Sequence, residues 1–294
     1  MPNKLIAHVT RALVCSAFLF SASSAFAQTD SKKEIRVVSA AGSLTEVIYL
    51  LNEQDKLVGV DTTSIYPEAA TKLPQVGYQR ALSSEGILSL NPTVLLATEE
   101  AGPPPVIQQL QATDLPVTII PVEYTTEGVA KKIRAVASAV NQTEAGEALV
   151  KTLEAEMDSL EKEIQAEVKT PKRAIFIMHM GGGSPMVAGL HTAANAMINL
   201  AGGFNPMTSY QGYKPINIES LIDINPEVII LTKRTLEGLG GLEGIKNVAG
   251  LNMTDAVKND HITILDDMSA LGFTPRLADA AKTIYTSIYP PKAQ

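Results

Sequence analysis

Residues 85–96 read Glu85-Gly-Ile-Leu-Ser-Leu-Asn-Pro-Thr-Val-Leu-Leu, and residues 219–230 read Glu219-Ser-Leu-Ile-Asp-Ile-Asn-Pro-Glu-Val-Ile-Ile, the same pattern about 134 positions later. In each copy a glutamate opens a short helix and Asn-Pro ends it, at Asn91-Pro92 and Asn225-Pro226, because a residue that precedes proline is pushed out of the helical region. An apolar, β-rich run follows (Val94 to Leu96, Val228 to Leu231) and reads as a buried strand. A repeated unit of this kind predicts two similar lobes, and the cleft between two lobes is a natural place to hold a ligand.

Outward from the first copy, Ile35 to Ala40 reads as a strand, and Ser43-Leu-Thr-Glu46 as a capping box that starts a helix through Val47, Ile48 and Leu51. Leu57 to Val60, Val94 to Leu96 and Pro116 to Pro121 give further strands, with a loop from Pro74 to Ser83. Alternation of strands and helices implies a parallel sheet. Between the copies, Leu149, Leu153, Met157, Leu160, Ile164 and Val168 recur every three or four residues in a Glu/Lys-rich background. That spacing predicts one helix over 143–168, about 38 Å long at 1.5 Å per residue. Beyond it come a strand from Arg173 to Met178, a glycine turn (Gly181-Gly182-Gly183) read as strand-to-helix, a helix near Thr192 to Ala201, a strand from His261 to Leu265 and a last helix from Pro275. The fold class is therefore α/β: two parallel-sheet lobes, 28–142 and 169–294, joined by one long helix at 143–168.

Residues 1–27 read as a secretory signal peptide, with Lys4 and Arg11 before an apolar run from Ala12 to Phe20 and a small-residue site Ala25-Phe26-Ala27. Cys15, the only cysteine, lies inside that run, followed by apolar residues where a lipid-modified N-terminus turns polar, so it reads as leader. Cleavage after Ala27 leaves no cysteine, so the fold rests on its core and not on a disulfide. Cleavage also leaves 22 basic against 31 acidic residues, a net of −9, which disfavours a nucleic-acid partner.

The chain carries none of the nucleophile-elbow, zinc-helix, phosphate-loop or dinucleotide signatures, so nothing in it argues for an enzyme. The loop Gln75-Val-Gly-Tyr78-Gln-Arg80-Ala-Leu-Ser-Ser-Glu85 does carry chemistry, because it follows a strand where a parallel-sheet lobe places ligand-facing groups. Tyr78 and Arg80 are two apart. A cation near a phenol favours its phenolate, and a phenolate is a hard ligand suited to Fe(III). Taken alone, a tyrosine there is more often an amphipathic packing residue.

The run from Val76 to Pro92, with Gln211-Gly-Tyr-Lys-Pro, Leu239-Gly-Gly-Leu-Glu-Gly and Leu271-Gly-Phe-Thr-Pro-Arg276, resembles the periplasmic haem-binding proteins of bacterial ABC haem importers. These belong to the class III binding proteins, and the likeness covers essentially the whole mature chain. The resemblance implies that Tyr78 is the axial ligand of Fe(III) haem and that Arg80 and Arg234 meet the phenolate or a haem propionate. It makes His179 a candidate ligand for a second haem, although His179 lies one residue away from the glycines. It further implies that Glu85 and Glu219 dock on arginines of an inner-membrane permease and its ATPase, with an outer-membrane haem receptor upstream and a periplasmic location. His191 and His261 lie in no matched motif and read as ordinary histidines bonded to nearby backbone, and the methionines 178, 180, 186 and 207 read as packing residues. Two alternatives stay open: a ferric-siderophore or corrinoid carrier on the same scaffold, against which stands the absence of tryptophan, and a secreted enzyme or metal chaperone, against which stands the spacing of the three mature histidines.

Overall fold

In the computed structural model the described residues are 34–179, 184–215 and 218–291. The leader read at 1–27, together with Met180 and Gly181 to Gly183, lies outside them. Residues from Glu34 onward form one compact unit, and no helix among the described residues is long and apolar enough to cross a membrane.

The N-terminal lobe is built on strands β1 (Val37–Ala40), β2 (Leu57–Val60), β3 (Val94–Thr98) and β4 (Val117–Ile120). They form a wholly parallel sheet in the order β2-β1-β3-β4. The C-terminal lobe has β5 (Ala174–Met178), β6 (Met186–Ala188), β7 (Tyr213–Pro215), β8 (Val228–Thr232) and β9 (Ile262–Leu265), in the order β7-β6-β5-β8-β9. Here the expectation of an all-parallel sheet is corrected. β5, β8 and β9 run parallel, but β6 and β7 add an antiparallel edge. The chain between β5 and β6 thus reverses into a strand and not into a helix.

The sequence repeat is also a structural repeat. The first copy forms the helix Ser84–Leu88 before β3, and the second forms Ile218–Ile224 before β8. Asn91 and Asn225 both take left-handed backbone, φ 48 and 42, which asparagine tolerates better than most side chains. Their carbonyls are held in the same way, since Arg36 Nε donates to Asn91 O (2.9 Å) and Arg173 Nε to Asn225 O (3.1 Å). An arginine at the start of each lobe's first strand thus pins the end of each repeat.

Successive strand residues point to opposite faces, and both faces of each sheet are covered. Val37 and Leu96 join one core while Val38 and Leu95 join another; Ala174 and Phe176 part from Ile175 and Ile177 in the same way. The connecting helix runs Thr143–Glu167, 25 residues, burying Val150, Leu153, Met157 and Leu160. These residues share a single core with β1, β3, β5, β8 and the last helix, Leu277–Ile288, so one apolar interior runs through both lobes.

The capping-box reading is overturned. Ala41 is the cap of helix Gly42–Leu50 and offers no side-chain bond; the Gly42 N–H instead donates to Thr63 Oγ1 at 2.9 Å. Thr63 can approach because Gly42 has no Cβ, which would sit 2.4 Å from the Thr63 carbonyl oxygen. Glu46 is buried within the helix and turned toward Arg276, a partner far away in sequence.

Candidate functional site

Every residue singled out from the sequence as a candidate for ligand binding lies just past the C-terminal end of a parallel strand, where open α/β sheets place their ligands. Tyr78 and Arg80 follow β2, His179 follows β5 and Arg234 follows β8. Glu85 and Glu219 sit instead in the first turns of the two repeat helices; both are exposed and neither forms an ion pair among the described residues.

The Tyr78 loop is fixed by its backbone. Val76 N–H donates to Val60 O (2.9 Å) and Thr62 N–H to Gly77 O (3.0 Å), which lays the loop beside the end of β2. Gly77 is at φ 96, a conformation open to glycine. A tight turn follows, with Ala81 N–H on Tyr78 O at 2.7 Å, and Gly102 N–H on Gln79 O (2.9 Å) ties it to the segment after β3. Tyr78 is left 45% exposed. Its phenol makes no hydrogen bond among the described residues, so it is available to a ligand.

The sequence places Arg80 near Tyr78, but the guanidinium is held elsewhere. Its Nη2 donates to Glu100 Oε1 at 2.5 Å, because the same backbone ties bring the segment after β3 against the turn. Next to this pair is Tyr124, just past β4, whose phenol is pushed up by burial and by the nearby Glu100. Its ring packs on Phe273 of the other lobe, centroids 5.3 Å apart. Tyr213 of β7 is pushed up to about 12, by burial first and then by Tyr124. Both phenols therefore stay protonated at neutral pH and can donate hydrogen bonds.

Below them the lobes are joined by buried polar groups. Lys132 is 2% exposed and donates to Phe273 O (2.9 Å) and Gly272 O (3.2 Å). Burial pushes its amine down to about 8, against the pull of Glu100 and Glu46. Arg276 grips Glu46 with two bonds of 2.9 Å, also reaches Ser269 Oγ at 2.8 Å, and stacks 3.9 Å from the centre of the Tyr66 ring.

On the C-terminal side His179 is half-buried, its backbone N–H on Thr235 Oγ1 at 3.3 Å. Its Nδ1 is buried without a hydrogen-bond partner among the described residues. Arg234 is exposed and 3.8 Å from Asp267. His261 bonds the Glu227 backbone carbonyl, and Met207 is buried as a packing residue. Glu100, Tyr124, Lys132 and Phe273 were not singled out from the sequence. The rule that found Tyr78 would have reached the first two, which follow β3 and β4.

A separate groove of about 440 Å³ flanks the connecting helix, with Glu154, Asp158 and Glu161 above Met157, Ile164 and Leu200. Its acidic wall disfavours an anion, and it contains none of the strand-end residues. No group of three or more metal-ligating side chains forms among the described residues.

Residues 37–268 match the family model described as periplasmic binding protein. The chain is a periplasmic binding protein. This binding protein is similar to the periplasmic heme-binding protein RhuT from Roseiflexus sp. RS-1 in apo form, with 35% identity over 87% of this chain and 99% of that one and a TM-score of 0.82. It is also similar to the periplasmic heme-binding protein BhuT, solved with two hemes, at 37% identity, 86% and 97% coverage and a TM-score of 0.82. Among curated sequences it is 24% identical to the vitamin B12-binding protein of Vibrio campbellii, over 79% of this chain and 81% of that one.

Proposed function

We propose that this binding protein captures haem between its lobes outside the cytoplasmic membrane and delivers it to an ABC permease. The observation that carries the reading is the Tyr78 turn: a loop tied by backbone hydrogen bonds at a strand end holds up an exposed phenol with no competing bond among the described residues, in a chain more than a third identical to two haem-binding proteins. Tyr78 ligates Fe(III) as the phenolate. Arg80 and Arg234 draw in the two propionates from opposite lobes, and the protonated Tyr124 and Tyr213 offer hydrogen bonds. The apolar ring face lies between the lobes, where leaving water is favourable.

His179, which follows β5, offers its imidazole to a second haem, the stoichiometry that BhuT displays. Glu85 and Glu219, equivalent by the repeat and without an ion pair among the described residues, dock on cationic permease side chains, and the ATPase drives release. The leader, cleaved after Ala27, exports the chain to the periplasm, where an outer-membrane receptor supplies the haem.

The test is a haemin titration of residues 28–294 beside Tyr78→Phe, followed by visible absorbance. The expected result is saturable binding with a tyrosinate charge-transfer band that the variant lacks, and an affinity at least tenfold weaker in the variant, since losing a metal bond outweighs about 1.4 kcal/mol. Saturation by cobalamin without saturation by haemin would move the protein to the corrinoid carriers.

A further inference from the structure

The Arg80–Glu100 pair has the geometry of an occupied carboxylate site. A single Glu100 oxygen engages one guanidinium nitrogen at 2.5 Å, and no other partner of Arg80 exists among the described residues, so most of its donors stay open. Both side chains are partly exposed, at 55% and 30%. Contacts of this kind add little to stability and exchange readily. The backbone on either side, by contrast, is fixed through Gly102 N–H on Gln79 O and Leu82 N–H on Gly102 O. Arg80 can therefore change partner by turning its side chain while the Tyr78 loop stays in place.

We propose that Glu100 is a positioning residue that occupies Arg80 in the empty cleft as an internal stand-in for a ligand carboxylate, and that capture exchanges Glu100 for a propionate. This rests on the haem reading and deepens it. Arg80 exchanges one carboxylate for another, so the guanidinium keeps a carboxylate partner in both states. The same exchange run backwards aids hand-off, because Glu100 retakes Arg80 as the propionate leaves. The net gain per propionate is small, as suits a carrier that must release its cargo.

Four proteins and two ligands test it: wild type, Glu100→Gln, Arg80→Ala and the double variant, each titrated with haemin and with haemin dimethyl ester, whose propionates are blocked. Removing the competitor should tighten haemin binding about two- to fivefold, the range expected of an exposed ion pair. The gain should vanish in the Arg80→Ala background and with the ester. Tightening that persists in either case would mean a general charge effect and would overturn the proposal, as would unchanged or weaker haemin binding by Glu100→Gln. If wild type shows the Tyr78-dependent band while Glu100→Gln behaves like wild type, only this inference falls. If wild type does not bind haemin, both fall.

Discussion

Lys132 is a cation held where water is nearly absent, and its two bonds go to neutral carbonyls of the other lobe. A neutral amine has two N–H groups and satisfies both carbonyls without the cost of burying charge. With the folded amine pushed down from 10.5 to about 8, the unfolded chain binds the extra proton between those values, so stability rises with pH across that window. The gain is on the order of 3 kcal/mol if fully expressed. Urea midpoints of wild type and Lys132→Met from pH 7.5 to 10 should therefore diverge, wild type climbing relative to the variant; parallel curves would show that the site does not titrate this way. Lys132 was invisible in the sequence because its partners lie 140 and 141 residues away and its helix reads as ordinary amphipathic pattern. Tyr78 and Arg80 were legible because one short loop after one strand contains both. What that loop does with Arg80 was not, since Glu100 arrives from another strand.

At the scale of elements, the connecting helix was legible almost to the residue, because a three-to-four spacing sustained over seven turns has no strand alternative. β6 and β7 were missed for the opposite reason: each has three residues, too few for a period to register. The capping box failed because the helix already starts at Gly42, which puts Ser43 inside its first turn, while Arg276 claims the Glu46 carboxylate. The helix can be tested face by face. Leu153 is 2% exposed in the core shared by both lobes, so Leu153→Ala should cost about 2–5 kcal/mol in urea unfolding. Glu156→Ala, on the exposed face, should leave the midpoint unchanged. Because the core is continuous, the loss should shift a single transition; a separate early transition for one lobe would show that the helix joins two independent cores.

For the whole molecule the question is how far the lobes can move, and two features restrain them. One is the shared core along the helix, and the other is the polar clamp above it, in which Arg276 of the C-terminal lobe grips Glu46 of the first helix. Glu46 is 2% exposed, so separating the pair strands a charge in an apolar setting. Opening therefore costs more than bending a surface linker would. A variant series separates the clamp's worth as a pair from the penalty of breaking it. Arg276→Met leaves Glu46 buried and alone, and should cost about 3–5 kcal/mol. Adding Glu46→Met removes the stranded charge and should restore most of that loss, because matched apolar side chains often replace a buried ion pair at little cost. Urea midpoints at pH 7 decide: a double variant less stable than Arg276→Met would mean that Glu46 supports the fold by other contacts. The double variant also removes this tie between the lobes, so small-angle scattering with and without haemin should show a larger change in radius than in wild type, and equal changes would assign the restraint to the connecting helix and its core.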